Sequence, residues 1–223
     1  MATMVQQPAK ILLADKRFSY QSSEYRCLST PIYQNGVDKR TLRFSDETLA
    51  PQKSRWFTLD EDATVIVLPL VGTVVYESPE SMRSSTIAPE EVQTQFLKKG
   101  DTFSLKNPSR EKLVNYLQIW LKLYSTETKE SFSGYSNNVL KTILKTEHFN
   151  LHFGVFDGRM ESDFVPSYHQ NTLMAFVING AFEVQNRLLE SRDCLAVWNT
   201  KTIELEALSE NAIILLLEKN NSC

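Results

Sequence analysis

TVIVLPLVG, residues 64–72, and TLMAFVING, residues 172–180, decide how this chain is read. Each is a run of β-branched, aliphatic and aromatic residues that ends in a glycine and resumes as a second such run, TVVYE or AFEVQ. The two lie 108 residues apart. Residues of this kind fit a pleated, half-buried strand, and a repeat at a fixed offset is weighed before any single motif.

Working outward, the similarity extends in both directions. LRFSDE from Leu42 and LHFGVFDG from Leu151 stand 22 and 21 residues before the two threonines. KKGDTFSL with Asp101 and ESRDCLAV with Asp193 follow, and YLQIWL from Tyr116 or IILLLE from Ile213 closes each half. Asp101 and Asp193 are expected to set tight turns, because an aspartate side chain hydrogen-bonds its own backbone. The first half carries an extra stretch, residues 78–93, rich in Ser, Pro and Glu and expected to be an exposed loop. The best helix candidate is residues 89–96, opened by Ala88 and Pro89. A Ser/Thr-rich stretch at 125–138 is expected to be the linker. The prediction is an all-β chain with few short helices: two small antiparallel β-barrels of the jelly-roll type, residues 1–125 and 126–223. Closure of each barrel removes exposed sheet edges. The segment 11–33 has the length to pack on the other half.

Composition narrows the function classes. The chain has 223 residues, 42% apolar and 23% charged, enough apolar material for a core. Its formal charge of -3 comes without a basic run, so no nucleic-acid partner is expected through charge. Three cysteines, Cys27, Cys194 and Cys223, are too few and too scattered for a disulfide framework or a CxxC metal site. The longest apolar run, residues 65–75, is interrupted by Pro69 and Gly72 and falls short of the roughly 20 residues a membrane span needs. No signal-peptide core is visible, and the expected location is the cytoplasm.

LRFSDETLAP from Leu42, VLPLVGTVVYE, KKGDTFSL, LQIWL from Leu117, VINGAFEV and the final IILLLE, in this order, resemble the pirin-like bicupins, also called quercetinase-like cupins. The resemblance spans most of the chain. It implies a bicupin fold and one metal, usually iron, held in the N-terminal barrel by an HxH pair and a later His and Glu. Such imidazole and carboxylate ligands suit a divalent transition metal with open positions. The family spacing counted back from Gly72 puts the HxH pair at Thr58 and Asp60, and no histidine precedes His148. The chain is therefore expected to be a divergent member without the metal site and with no cofactor. It is expected to act by binding a small molecule or a protein partner, with homo-oligomerisation as a further option. The expected ligand-binding residues of the N-terminal barrel are Arg55, Trp56, Thr58, Asp60, Tyr76, Tyr116 and Trp120, since aromatics with a few polar groups make small-ligand pockets.

The alternative is a quercetin 2,3-dioxygenase-like oxidoreductase. It would hold iron or another divalent transition metal through His152, His169 and Glu183. His148 and His152, four apart on a strand, stand about 13 Å from each other and could not share one ion. No G-x-S-x-G elbow, phosphate loop or H-E-x-x-H motif occurs, and Cys194 is expected to pack as a small apolar residue.

Overall fold

The computed structural model describes residues 8–32, 36–79, 82–134 and 136–222. Tyr33, at the end of the N-terminal segment, and Cys223 lie outside these. The chain begins with β1 (Ala9–Leu12) and a 3-10 turn, Ala14–Lys16. The segment through Lys16 groups with residues 134–223, and residues 17–133 form the other compact unit. The division thus differs from a cut at 125/126: it falls eight residues later and returns the first strand to the second half.

The unit of residues 17–133 contains β2 (Phe18–Gln21), β3 (Tyr25–Ser29), β4 (Thr41–Leu49), β5 (Ser54–Thr58), β6 (Ala63–Val71), β7 (Val74–Ser78), β8 (Arg83–Ile87), β9 (Glu91–Leu97), β10 (Thr102–Lys106), β11 (Val114–Leu121) and β12 (Thr128–Ser131). They form a seven-stranded sheet in the order β12-β9-β6-β11-β4-β3-β2 and a four-stranded sheet β5-β10-β7-β8. All described pairings are antiparallel. The inner faces bury one cluster that includes Leu49, Phe57, Leu59, Val65, Tyr76, Phe103, Leu105 and Tyr116.

The second unit repeats the plan with β13 (Lys141–Lys145), β14 (Phe149–Phe156), β15 (Glu161–Phe164), β16 (Asn171–Asn179), β17 (Phe182–Val184), β18 (Leu188–Leu189), β19 (Cys194–Trp198), β20 (Ile203–Ala207) and β21 (Ala212–Asn220). A six-stranded sheet, β1-β19-β16-β21-β14-β13, faces a four-stranded sheet, β15-β20-β17-β18. β1 joins as an edge strand along β19, Ala9 opposite Val197 through Leu12 opposite Cys194. Between the sheets lie Phe156, Val177, Phe182, Leu195, Leu205, Ile214 and Leu216.

The repeat is structural. TVIVLPLV and TLMAFVIN lie within the central strands β6 and β16, and Gly72 and Gly180 turn each chain into its next strand at φ of 73° and 79°. A side chain there would be strained, and at Gly72 a Cβ would stand 2.8 Å from Val114 Cγ1. Asp101 Oδ2 accepts the backbone N–H of Lys98 at 2.8 Å, and Asp193 Oδ2 that of Glu190 at 3.0 Å. The same turn therefore recurs. Asp193 does more, because its Oδ1 also accepts the backbone N–H of Ala14 at 2.7 Å.

Three sequence expectations are corrected. Residues 78–93 are not an exposed loop: β8 pairs with β7 and carries fully buried Ile87. Residues 89–96 are not helical, since β9 pairs with β6 over five positions. The capping signal is real but serves a turn, where Glu91 Oε2 accepts the backbone N–H of Ala88 at 2.7 Å. The 125–138 stretch is in part a strand, β12, laid along β9. Among the described residues no helix is long and apolar enough to cross a membrane.

Candidate functional site

On β4 the inward positions are Arg43, Ser45, Glu47 and Leu49, so a strand that ought to be apolar on its core face carries two charges. Opposite them on β11 stand Trp120, Gln118 and Tyr116, paired with Arg43, Ser45 and Glu47 in turn. Glu47 is fully buried. Its Oε1 accepts from Ser45 Oγ at 2.5 Å and from Arg43 Nη2 and Nε at 2.7 and 3.2 Å. Its Oε2 accepts from the phenols of Tyr25 and Tyr116 at 2.7 and 3.0 Å. A buried carboxylate is tolerable only when paired and hydrogen-bonded in this way.

Burial pulls the Arg43 guanidinium towards neutrality, but Glu47 outweighs it and holds the cation above its ordinary value. Burial first, and the charge of Glu47 second, push the phenols of Tyr25 and Tyr116 well above theirs, so both remain donors. The guanidinium carbon lies 5.2 Å from the ring centre of Phe57 and 5.3 Å from that of Trp120, a cation–π contact with each of two rings that meet edge to face. Phe103 stacks on Phe57 at 5.1 Å and on Tyr76 at 5.5 Å, filling the rest of this interior. Outside Arg43 opens a cavity of about 310 Å³ lined by Leu42, Arg43, Leu59, Asp60, Glu61 and Trp120, among others.

The second barrel also buries a carboxylate on its inner face, Glu218 of β21. Asn150 Nδ2 donates to its Oε2 at 3.1 Å and the backbone N–H of Tyr168 to its Oε1 at 3.0 Å, while His152 Nε2 lies 3.4 Å from Oε2. Burial alone would raise the Glu218 carboxyl. His152, Asn150 and Tyr168 together hold it below its ordinary value. His152 is closed in by Thr142 Oγ1, 3.0 Å from Nδ1, and by the Phe164 ring at 4.5 Å.

Residues 146–218 match the family of the quercetinase C-terminal cupin domain. Among solved structures, the bacterial pirin YhhW of Escherichia coli in complex with nickel(II) matches with a TM-score of 0.77 and 16% identity, over 96% of this chain and 99% of that one. The fold is that of a pirin-like bicupin. The E. coli protein YhaK matches at a TM-score of 0.72 and 18% identity, over 93% and 95% of the two chains. A quercetin 2,3-dioxygenase of Acinetobacter baumannii matches at 0.70 and 13%, over 95% and 85%. No curated protein matches.

The YhhW structure holds nickel(II), and the donor set of the first barrel here can be tested against a metal. Two ligands spaced i, i+2 at β5 must both face inward. The inward pair is Phe57 and Leu59, 8% and 2% exposed. Across the sheet Phe103 pairs with Phe57, and the next inward position is Leu105. All four are hydrocarbon. Of Thr58 and Asp60, where the family spacing places the HxH pair, Thr58 is exposed on the other face, a register shift of one, and Asp60, past the end of β5, is exposed at the edge of the cavity. These residues do not fit a transition metal, and no group of three or more His, Cys, Asp or Glu among the described residues could hold an ion.

Of the residues expected to bind ligand, Asp60 and Trp120 line the cavity, and Tyr76 and Tyr116 lie within the barrel core. Trp56 and Thr58 are exposed on the outer face. Arg55, also exposed, shares the face of Phe57 at the other end of β5, where it pairs with Leu105 and stacks over Tyr20 and Tyr25 at 5.9 and 5.2 Å. The alternative metal set is not assembled: His152 is buried inside the second barrel, His169 is exposed, and Glu183 is exposed on the outer face of its sheet. Cys194 is fully buried, and burial, with Asp193 adding, pushes its thiol up to about 12, which keeps it protonated. Sequence reading missed Arg43, Ser45, Glu47 and Gln118. The usable signal was R-x-S-x-E in a strand, polar residues spaced by two and therefore sharing one face.

Proposed function

We propose that this bicupin is a metal-free binding protein whose first barrel receives a small molecule at the Arg43–Trp120 mouth. The observation that supports the reading is that Phe57, Leu59, Phe103 and Leu105 take the inward positions of this part of the barrel, with a guanidinium against the rings of Phe57 and Trp120. A guanidinium keeps its charge at any physiological pH and offers only donors. It can orient an acceptor group but cannot open coordination positions to a substrate. A concave cavity with apolar walls and a few convergent polar groups suits a small molecule better than a protein surface. The buried free thiols of Cys27 and Cys194 accord with a reducing compartment such as the cytoplasm.

The competing reading, a quercetin 2,3-dioxygenase-like oxidoreductase, draws on the family match of residues 146–218. Metal analysis of protein purified without chelators, with a flavonol turnover assay after addition of iron, nickel or manganese, separates the two. Metal far below one equivalent and no turnover are expected. Stoichiometric metal with turnover would favour the oxidoreductase.

A further inference from the structure

The cavity of about 310 Å³ at the mouth of the first barrel is lined by three ionisable side chains, Arg43, Asp60 and Glu61. Two of them bring their own counter-charge. Glu47 holds the Arg43 guanidinium through Nη2 at 2.7 Å and Nε at 3.2 Å, and Glu61 is in an ion pair with Lys122 Nζ. Asp60 is different. It is exposed, and among the described residues its carboxylate takes part in neither a hydrogen bond nor an ion pair. The neighbouring aspartates are committed to turns, since Asp62 Oδ1 accepts the backbone N–H of Lys99 and Asp101 Oδ2 that of Lys98, each at 2.8 Å. The charges that line the cavity therefore cancel in pairs and leave one carboxylate over.

The rest of the lining narrows what that carboxylate can receive. Leu42, Leu59 and the Trp120 indole give the cavity an apolar wall. Its volume lies at the lower end of the roughly 300–1,000 Å³ of ligand sites, which limits the occupant to about one or two rings. An anion would compete with Glu47 for Arg43 and would face Asp60, so it fits poorly. A neutral molecule could use the wall but would leave Asp60 unmatched. A protonated amine on an apolar body uses both. We infer that the mouth of the first barrel takes a small organic cation, a primary amine carried on a single aromatic or aliphatic ring. The ammonium pairs with Asp60, and the ring lies against Leu42 and Trp120. This rests on the metal-free binding reading and names the ligand class for that site.

The test uses the full chain and three probes of similar shape, benzylamine, benzyl alcohol and benzoate, followed by calorimetry at neutral pH. Benzylamine is expected to bind saturably at one site, and benzyl alcohol about fivefold more weakly, the upper end of what an exposed ion pair contributes. Benzoate is expected to be the weakest of the three. Added salt should weaken benzylamine and leave benzyl alcohol unchanged, because exposed charges are screened. Asp60→Asn keeps the shape of the side chain and is expected to lower the affinity for benzylamine to that for benzyl alcohol. Asp60→Ala repeats the measurement if the asparagine variant fails to fold. No saturable binding of benzylamine, as when Asp60 is a solvated surface carboxylate and nothing more, overturns the inference. So does equal binding of benzylamine and benzyl alcohol, a preference for benzoate, or benzylamine binding that survives both substitutions. Metal content is measured on the same samples. Stoichiometric metal in protein purified without chelators would sink the metal-free reading and this inference with it, whereas any of those failures in metal-free protein sinks this inference alone.

Discussion

The two barrels bury a carboxylate in the same kind of place and neutralise it by different means. Glu47 is held by a guanidinium, two phenols and a hydroxyl, whereas Glu218 is held by an imidazole, a carboxamide and one backbone N–H. The first set includes a guanidinium, a cation at any physiological pH. The second has an imidazole, a carboxamide and a backbone N–H in its place. The cation of the first barrel also borders a cavity.

The sharpest way to break this comparison is to remove a carboxylate. Glu47→Gln leaves Arg43 buried without its counter-charge and is expected to cost about 3–5 kcal/mol, read by denaturant unfolding. A loss below about 1 kcal/mol would mean that Arg43 swings out to solvent and that the pair does not organise the barrel. Glu218→Gln removes a carboxylate facing a histidine and is expected to cost less, about 1–3 kcal/mol.

Its pH signature is distinct. The Glu218 carboxyl is depressed on folding, so its contribution is complete above the ordinary carboxylate range and is lost as pH falls through the depressed folded value. Unfolding followed from pH 6 down to pH 3 is expected to show a steeper loss in the native protein than in Glu218→Gln. Parallel curves would remove Glu218 from the acid response. On the alkaline side the sign is the same for Lys219, the neighbour of Glu218 on β21. Burial lowers its amine to about 7, so stability should rise with pH from about 7 towards 10, and Lys219→Met should flatten that rise. A native curve that is flat there would show that the amine keeps its full charge when folded.

The smallest expected effects lie in the repeated turn. Asp101→Ala should cost about 1 kcal/mol for the lost bond to Lys98 N–H. Asp193→Ala should cost about twice that, since Ala14 N–H also loses its acceptor and β1 its tether to β19. Equal losses would show that β1 is held by strand pairing alone.

Much of the fold was legible because its signals are local. TVIVLPLVG and TLMAFVING announced the central strands through composition, and Gly72, Gly180, Asp101 and Asp193 marked turns whose chemistry allows few substitutes. The interior was harder to read. RWFTLD can be aligned so that Thr58 and Asp60 face inward or so that Phe57 and Leu59 do, and a shift of one residue reverses every side chain. The burial of Phe57 against Phe103 decides it, and that contact joins strands 46 residues apart in the sequence. Arg43 and Glu47 were visible as R-x-S-x-E, but their partners Tyr25, Tyr116 and Trp120 come from β3 and β11, which only the closed barrel brings together. The helix expected at 89–96 failed for a related reason: Glu91 caps the backbone at Ala88 as it would at a helix start, yet pairing with β6 draws residues 91–97 out into a strand.

The central claim is that nothing in the first barrel grips an ion. Crystals grown with added iron or nickel, measured at the absorption edge of each metal, test it directly. The account predicts no anomalous peak between β5 and β10, with the rings of Phe57 and Phe103 in contact there. A strong peak at that place, coordinated by side chains of residues 17–133, would contradict it.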